Sequence, residues 1–273
     1  MNDKMKNEKN MPLLGHLVEL RTRLIYSILA FFLMFAVSFV FAQDIYDFLV
    51  RPLARALEDQ NGARLIFTAL YEPFLAQIKL AFYIALFLAF PIISMQMWMF
   101  VAPGLYKNEK RAFFPFLVAT PILFFLGGAL VYFFIMPLAW EFFLNFQTLG
   151  GNGTLPLQVE PKVDQYLTLV LRLIFAFGLA FELPVLLMLL ARAGLVTSAE
   201  LAAKRKYSII GVFVFSAIIT PPDVVSQIGL AIPIIVLYEF SILGARMIEK
   251  RRIKEYDDVD HEDLEQGPDN RTA

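Results

Sequence analysis

Long apolar stretches that are nearly free of charge constrain this chain more than any other feature of its sequence. A helix needs roughly 20 mostly apolar residues to cross the ~30 Å hydrocarbon core of a bilayer. Four stretches meet that length and two shorter ones follow; their approximate bounds are 24–42, 74–100, 113–138, 166–191, 207–220 and 228–245. The chain is 58% hydrophobic and only 18% charged, which lies outside the usual range of water-soluble domains. The sequence therefore predicts an all-α integral membrane protein.

The fifth stretch is the short one. As a helix of about 14 residues it would extend only ~21 Å, which is less than the hydrocarbon thickness. The last two stretches therefore either form a re-entrant hairpin or cross where the bilayer is thinned. Lys and Arg flank the pair but are absent from residues 221–227 between them, and this favours crossing. We predict six spans, with the fifth and sixth short.

The distribution of cations predicts the orientation, because cytoplasmic loops are enriched in Lys and Arg. Most of the 24 Lys and Arg residues lie on the same side as the N-terminus, and the outer loops hold only Arg51, Arg55, Arg64 and Lys162. Both termini are therefore predicted to be cytoplasmic. Three regions follow: an N-terminal cytoplasmic segment with an amphipathic helix, a transmembrane domain, and an acidic, disordered tail. Their bounds are 1–23, 24–245 and 246–273.

Two segments outside the spans have the apolar spacing of an amphipathic helix. One precedes the first span, where "HLVELRTR" (16–23) also places Glu19 and Arg23 four residues apart, the spacing of a surface ion pair. The other lies in the first outer loop, about 43–73. Its apolar stripe consists of Ile45, Phe48, Leu49, Leu53 and Leu57.

No enzyme motif is present in the sequence. There is no Gly-rich nucleotide-binding loop, no HExxH, no Cys, and the two histidines, His16 and His261, do not suggest a metal site. We therefore predict no catalytic residue, no metal and no cofactor. A net charge of −1 gives no indication of a nucleic-acid partner. If the protein does work across the membrane, the energy must enter through a partner or an ion gradient.

Ionisable residues inside the spans are the most informative positions, because burying them in hydrocarbon is costly. Glu182 lies ~24 Å from the outer end of the fourth span, and Pro184 should kink the helix beside it. This carboxyl is either the wall of a polar groove or a structural hydrogen-bond partner. Lys79 and Arg172 lie nearer the outer ends of their spans, where a long side chain can reach the headgroups.

Two further stretches contain polar residues that remain ambiguous from spacing alone. In "GLYKNEKR" (104–111) the positive-inside rule explains the cations but not Glu109, which is either a solvated acid or part of a specific site. In "TPPDVVSQ" (220–227) Thr220 and Gln227 either cap helices or bond a partner helix.

Four stretches together closely resemble the TatC family: "HLVELRTRL", "FVAPGLYKNEKR", "AFGLAFELPV" and "TPPDVVSQIGLAIPI", in this order on six spans. The resemblance covers roughly residues 11–245. Members of this family form the core of the twin-arginine protein translocase. The resemblance implies a concave helical bundle in the bacterial cytoplasmic (inner) membrane. It also implies a receptor that binds Arg-Arg signal peptides and helps to export folded proteins, driven by the proton-motive force.

The same resemblance implies partners and residue roles. The partners are single-span subunits similar to TatA and TatB, the signal peptides, the lipid bilayer, and further copies in a multimer of TatB–TatC units. Signal-peptide binding falls on Glu109, Glu19, Phe100 and Arg21. The intramembrane acid is Glu182, the partner contacts are Thr220 and Gln227, and the sensitive outer positions are Pro52 and Asp223.

Arg172 departs from the family pattern, which has an apolar or small residue there, so its role is open. Two alternatives to the receptor remain from the residues themselves. One is an ion-coupled secondary transporter with Glu182 as its coupling site. The other is a scaffold that only organises partners.

Overall fold

The computed structural model describes residues 13–58, 64–101, 110–148, 155, 157–220 and 224–265, and these residues are mainly helical. The helices are α1 (Leu13–Val40), α2 (Ala42–Ala56), α3 (Glu72–Val101), α4 (Lys110–Leu130), a π-helix (Val131–Ile135), α5 (Met136–Leu144), α6 (Val163–Ala180), α7 (Leu183–Arg192), α8 (Ser198–Ala203), α9 (Arg205–Ile219) and α10 (Val224–Glu265). The chain forms two compact units, Met1–Gly178 and Leu179–Ala273.

Five helical segments of the described chain are long and apolar enough to cross a membrane. They are Gly15–Val40, Glu72–Phe100, Pro115–Leu144, Val163–Arg192 and Ser226–Lys250. These segments coincide with five of the six predicted spans, and they identify a multi-pass membrane protein. The fifth predicted span is α9, which is helical as expected but has only 15 residues, or ~22 Å.

The C-terminal region differs from the prediction. Residues 246–273 were predicted to be a disordered tail, but α10 continues as a helix to Glu265. The segment 246–265 is rich in Glu, Lys and Arg, which have good intrinsic helix propensity. Extending an existing helix also requires no new nucleation, so an acidic and solvated sequence can remain helical here.

In the first unit, α1 packs antiparallel to α3. Phe31 of α1 meets Phe82 of α3 edge to face, with ring centroids 5.3 Å apart, and His16 near the start of α1 stacks on Phe100 near the end of α3. The beginning of α1 and the end of α3 therefore lie together.

The core of the first unit depends on a close approach of α4 and α6. A Cβ added at Gly127 of α4 would lie 2.6 Å from the carbonyl oxygen of Phe177 in α6. Phe124 is fully buried and stacks on Phe90 of α3 at a centroid distance of 3.6 Å. Small and large residues thus alternate so that three helices fit against each other.

The predicted amphipathic helix of the first outer loop is confirmed as α2. Its residues Leu49 and Leu53 are buried, as is Leu57 directly after it. Beyond α2 the chain is joined to the segment before α6, where the Ile66 amide donates to the Pro161 carbonyl (3.1 Å) and the Val163 amide donates to the Ile66 carbonyl (3.0 Å).

In the second unit, the short helix α8 is fixed to α10. Thr197 and Glu200 form a capping box at the start of α8. The Ser198 amide and hydroxyl both donate to the Glu249 carboxylate of α10, at 2.6 and 2.5 Å. The Tyr238 hydroxyl of α10 donates to the Leu201 carbonyl at 2.8 Å. The bonds of Thr197, Glu200 and Ser198 satisfy the first turn of α8, and the bond from Tyr238 satisfies one of its C-terminal carbonyls. A helix as short as α8 would not be stable alone.

Candidate functional site

The antiparallel packing of α1 and α3 creates a polar surface patch where α1 begins. His16 stacks on Phe100 with centroids 4.2 Å apart and an interplanar angle of 14°. One turn later on α1, the Glu19 Oε1 accepts a hydrogen bond from Arg23 Nη2 at 3.3 Å. We call His16, Glu19, Arg23, Gln96 and Phe100 the Glu19 patch.

Arg23 links this patch to α3. Its Nη1 donates to Gln96 Oε1 at 3.3 Å and approaches Met99 Sδ at 3.5 Å. The side chains of Arg23 and Glu19 are 30% and 21% exposed, so a ligand from water can still reach the carboxylate. The sequence predicted the ion pair, and the structure confirms it. Spacing along one helix contained no signal for Gln96, which is 73 residues from Arg23.

Three of the four residues that the resemblance assigned to signal-peptide binding lie in the described part of the chain. Glu19 and Phe100 share the patch, and Arg21 is exposed on α1. Glu109 lies outside the described residues, although it directly precedes the first residue of α4, Lys110. The structure therefore brings together two of the four assigned residues.

Glu182 lies where the fourth apolar segment is interrupted. The helix α6 ends at Ala180 and α7 begins at Leu183, with Glu182 half-buried at the N-cap of α7. Pro184 has no N–H to donate to the Ala180 carbonyl, which accounts for the break. The sequence predicted a kink here, and the structure confirms an interruption at this position.

Lys79 has a more specific environment than the headgroup contact predicted for it. Its Nζ forms an ion pair with Asp164 at the start of α6 and donates to Thr168 Oγ1 at 3.0 Å. The side chains of Lys79 and Asp164 are 33% and 42% exposed. This contact links α3 to α6 and was not visible in either helix alone. Arg172 is exposed on α6.

Thr220 and Gln227 make hydrogen bonds at the adjoining ends of α9 and α10. Thr220 is the C-cap of α9, and its hydroxyl donates to the Ser216 carbonyl at 2.9 Å. Gln227 Nε2 donates to the Phe213 carbonyl of α9 at 3.1 Å. The capping interpretation of Thr220 is thus confirmed. Asp223 lies outside the described residues.

Pro52 has a clear structural role within α2. Because proline lacks an N–H, it cannot donate to the carbonyl four residues earlier, that of Phe48. The Tyr132 hydroxyl of the π-helix donates to this carbonyl instead, at 2.8 Å, and the Tyr132 ring stacks on the Phe48 ring at 4.3 Å and 7°. The Tyr166 hydroxyl donates to the next carbonyl, that of Leu49, at 2.6 Å. Pro52 therefore exposes an acceptor that attaches α2 to the membrane-spanning helices.

A metal site is not apparent in the described part of the chain, where no group of three or more His, Asp or Glu could hold an ion. The sequence contains no Cys that could add a ligand.

Comparison with known proteins supplies the family. Residues 15–233 match the family model described as Sec-independent protein translocase protein (TatC). The chain belongs to the TatC family. A TatC protein of Magnetococcus marinus is 48% identical over 248 residues, which are 91% of this chain and 89% of the relative. The TatC protein of Escherichia coli K12 is 40% identical over 242 residues, 89% of this chain and 91% of the relative.

The TatC fold is also matched by solved structures. A crystal structure described as the twin-arginine translocase receptor TatC has a TM-score of 0.72 and 39% identity, covering 86% of this chain and 99% of that one. A second, in the detergent DDM, gives the same TM-score at 41% identity. The resemblance predicted from the four sequence stretches is thereby confirmed.

Proposed function

We propose that this chain is the signal-peptide receptor and core subunit of a twin-arginine protein translocase. It binds Arg-Arg signal peptides at its cytoplasmic face and, with single-span partners, exports folded proteins by using the proton-motive force. Family membership supports the general role. The observation that carries the receptor role is the Glu19 carboxylate, which already accepts a guanidinium hydrogen bond on an accessible surface.

Arginine is the cation that such a patch can select. Its guanidinium presents a planar fork of donors that a carboxylate accepts with two oxygens, whereas the ammonium of lysine is a point charge. Glu19 takes one arginine of the pair and Glu109 takes the other. Phe100 and Arg21 flank the peptide. Two acids on one scaffold discriminate better than either acid alone.

Arg23 occupies Glu19 before the signal peptide arrives. An incoming arginine competes with it for the carboxylate, while the bond to Gln96 and the contact with Met99 hold the displaced Arg23 against α3. This exchange replaces one ion pair by another. Because the Glu19 carboxylate is already partly desolvated in its pair with Arg23, the exchange adds little desolvation free energy for this carboxylate. A single cation that binds the Glu19 carboxylate more weakly than Arg23 does therefore fails to displace Arg23.

The proposed topology has six spans with both termini in the cytoplasm of a bacterium, in its inner membrane. The cation distribution supports this orientation. In this proposed topology the Glu19 patch lies on the cytoplasmic side. The short α9 crosses where the bilayer is thinned.

The single-span partners, similar to TatA and TatB, are proposed to contact the region of Thr220 and Gln227. The adjacent face of α9 is apolar and exposed, with Ile210 61% and Ile218 74% accessible, as a helix-docking surface requires. Asp223 is assigned to the same outer side, and several such units form the working multimer. Glu182 is assigned to a polar groove that receives the apolar part of the signal.

Binding of matched peptides to the purified, detergent-solubilised protein tests the receptor role. We expect an Arg-Arg signal peptide to bind more tightly than its Lys-Lys counterpart, and Glu19→Gln and Glu109→Gln each to reduce that preference. Glu160→Gln is the control, because this acid forms an exposed pair with Arg64 at the other end of the spans. Equal affinity for both peptides would reject the proposal.

An ion-coupled secondary transporter is the second candidate. The observation that favours it is the interruption of a membrane-spanning segment at Glu182, because such transporters bind ions at broken helices. Proteoliposomes distinguish the two functions. Uptake of a small solute by this chain alone, abolished by Glu182→Gln, would support the transporter and count against the receptor.

A further inference from the structure

A cavity of about 570 Å³ lies between α2 and the segment formed by the π-helix and α5. Its volume falls within the roughly 300–1,000 Å³ typical of small-molecule sites. Pro52 and Arg55 of α2 line one part, and Tyr132, Glu141 and Asn145 line another. The signal-peptide site does not include these residues.

The charges of the cavity are balanced. Among its lining residues Arg55 is the only cation and Glu141 the only anion. Both side chains are exposed, and neither forms an ion pair within the described part of the chain. A guanidinium binds phosphate oxygens with a forked pair of donors. A carboxylate accepts hydrogen bonds from a primary ammonium. The cavity thus offers one partner for each end of a zwitterion.

The surroundings fit a lipid better than a soluble ligand. Glu141 and Asn145 lie at the end of the segment Pro115–Leu144, which is long and apolar enough to span a membrane. Headgroups are found at such ends. Phe133, Phe134 and Leu138 of the same segment are 64%, 69% and 53% exposed, and this apolar surface can contact acyl chains.

The wall of the cavity is fixed before any ligand binds. Tyr132 bonds the Phe48 carbonyl that Pro52 leaves without a helical donor, and Tyr166 bonds the neighbouring carbonyl of Leu49. These bonds hold α2, and therefore Arg55, in position. A preorganised site loses less conformational entropy on binding.

We propose that this cavity binds a membrane phospholipid whose headgroup combines a phosphate with a primary amine, as in phosphatidylethanolamine. Arg55 holds the phosphate, Glu141 accepts hydrogen bonds from the ammonium, and Asn145 supplements either contact. Phosphatidylcholine fits less well because its quaternary nitrogen has no N–H to donate. Phosphatidylglycerol fits less well because it has no cation for Glu141. The proposal does not depend on the signal-peptide assignment.

Native mass spectrometry of the full-length protein tests the proposal. The protein, released from detergent, is offered phosphatidylethanolamine, phosphatidylcholine and phosphatidylglycerol with identical acyl chains. We expect roughly three-fold more adducts of phosphatidylethanolamine than of either other lipid, the ratio that one additional hydrogen bond of modest strength gives. Equal adducts of all three lipids would overturn the proposal. The alternative occupant is a single-span peptide with a free N-terminal amine. Displacement of the bound lipid by such a peptide would also overturn the proposal.

Four variants locate the site. Glu141→Gln should remove the preference for phosphatidylethanolamine over phosphatidylglycerol, and Arg55→Gln should reduce binding of all three lipids. Arg51→Gln is the control on the same helix, because this exposed cation does not line the cavity; Glu58→Gln is the matched acidic control. Lipid ratios that change as much in the controls as in the site variants would contradict the assignment. The melting temperature of each variant shows whether it remains folded.

Discussion

Pro52 and Tyr132 should be energetically coupled, because proline creates the acceptor that tyrosine satisfies. The Tyr132 hydroxyl donates to the Phe48 carbonyl at 2.8 Å. Tyr132→Phe removes this donor but keeps the ring that stacks on Phe48 at 4.3 Å, so the change isolates the hydrogen bond. Its loss should cost about 1 kcal/mol in free energy of unfolding.

The size of this effect should depend on residue 52. In a Pro52→Ala background, the introduced alanine supplies the backbone N–H that the Phe48 carbonyl lacks, and the tyrosine becomes dispensable. Tyr132→Phe should then cost only a few tenths of a kcal/mol. The double-mutant cycle should give a coupling of about 0.7–1 kcal/mol, independent of the effect of Pro52→Ala alone.

The cycle compares the unchanged protein, Tyr132→Phe, Pro52→Ala and the double variant. Their free energies of unfolding are measured in mixed detergent–dodecyl sulfate micelles, and their melting temperatures should shift by about 2–4 °C per kcal/mol. Tyr166→Phe provides the control. It removes the bond to the Leu49 carbonyl, but the helical donor for that carbonyl is Leu53, which has its N–H in either background. Equal costs of Tyr132→Phe in the Pro52 protein and in the Pro52→Ala variant would refute the proposed role of the proline.

Individual contacts lead to three further predictions. Gly127→Ala should lower the free energy of unfolding by about 2–3 kcal/mol, because the new Cβ would meet the Phe177 carbonyl at 2.6 Å. Gly211→Ala is the control, because a Cβ there would have no atom within 4 Å. In the same unfolding titration in micelles it should be neutral or stabilising by up to about 1 kcal/mol. Arg23→Gln should raise affinity for an Arg-Arg peptide about two- to five-fold by removing the competing cation, as fluorescence anisotropy would measure, and a loss of affinity would contradict this. Asp164→Asn should cost about 1 kcal/mol in unfolding free energy, since its ion-pair partner is only partly solvated; an unchanged titration would show that this ion pair contributes nothing.

The sequence alone predicted the features that depend on one segment. Apolar length indicated the spans, the spacing of Leu49, Leu53 and Leu57 indicated α2, and Pro184 indicated the break beside Glu182. The four-residue spacing of Glu19 and Arg23 likewise indicated their ion pair. Each of these signals is local, because it follows from helix periodicity or from the missing N–H of proline.

Features that depend on how helices pack together could not be predicted in this way. The pair of Lys79 with Asp164, and the bond of Tyr132 to the carbonyl freed by Pro52, join residues 85 and 84 positions apart. Their contact depends on the relative rotation and height of two helices, which the pattern of one helix does not contain. The tail differs from the prediction for another reason: its low hydrophobicity predicts disorder, but 246–265 also has good helix propensity and continues α10.

Cross-linking of a signal peptide tests the receptor role most directly. A photoreactive group is placed beside the paired arginines of a signal peptide and, in a matched peptide, beside two lysines. The account predicts that the Arg-Arg peptide cross-links to residues 100–111 and to α1 near Glu19, that Glu109→Ala abolishes this in a protein that still assembles, and that the Lys-Lys peptide does not cross-link there. Undiminished cross-linking of Glu109→Ala, or equal cross-linking of the two peptides, would contradict it.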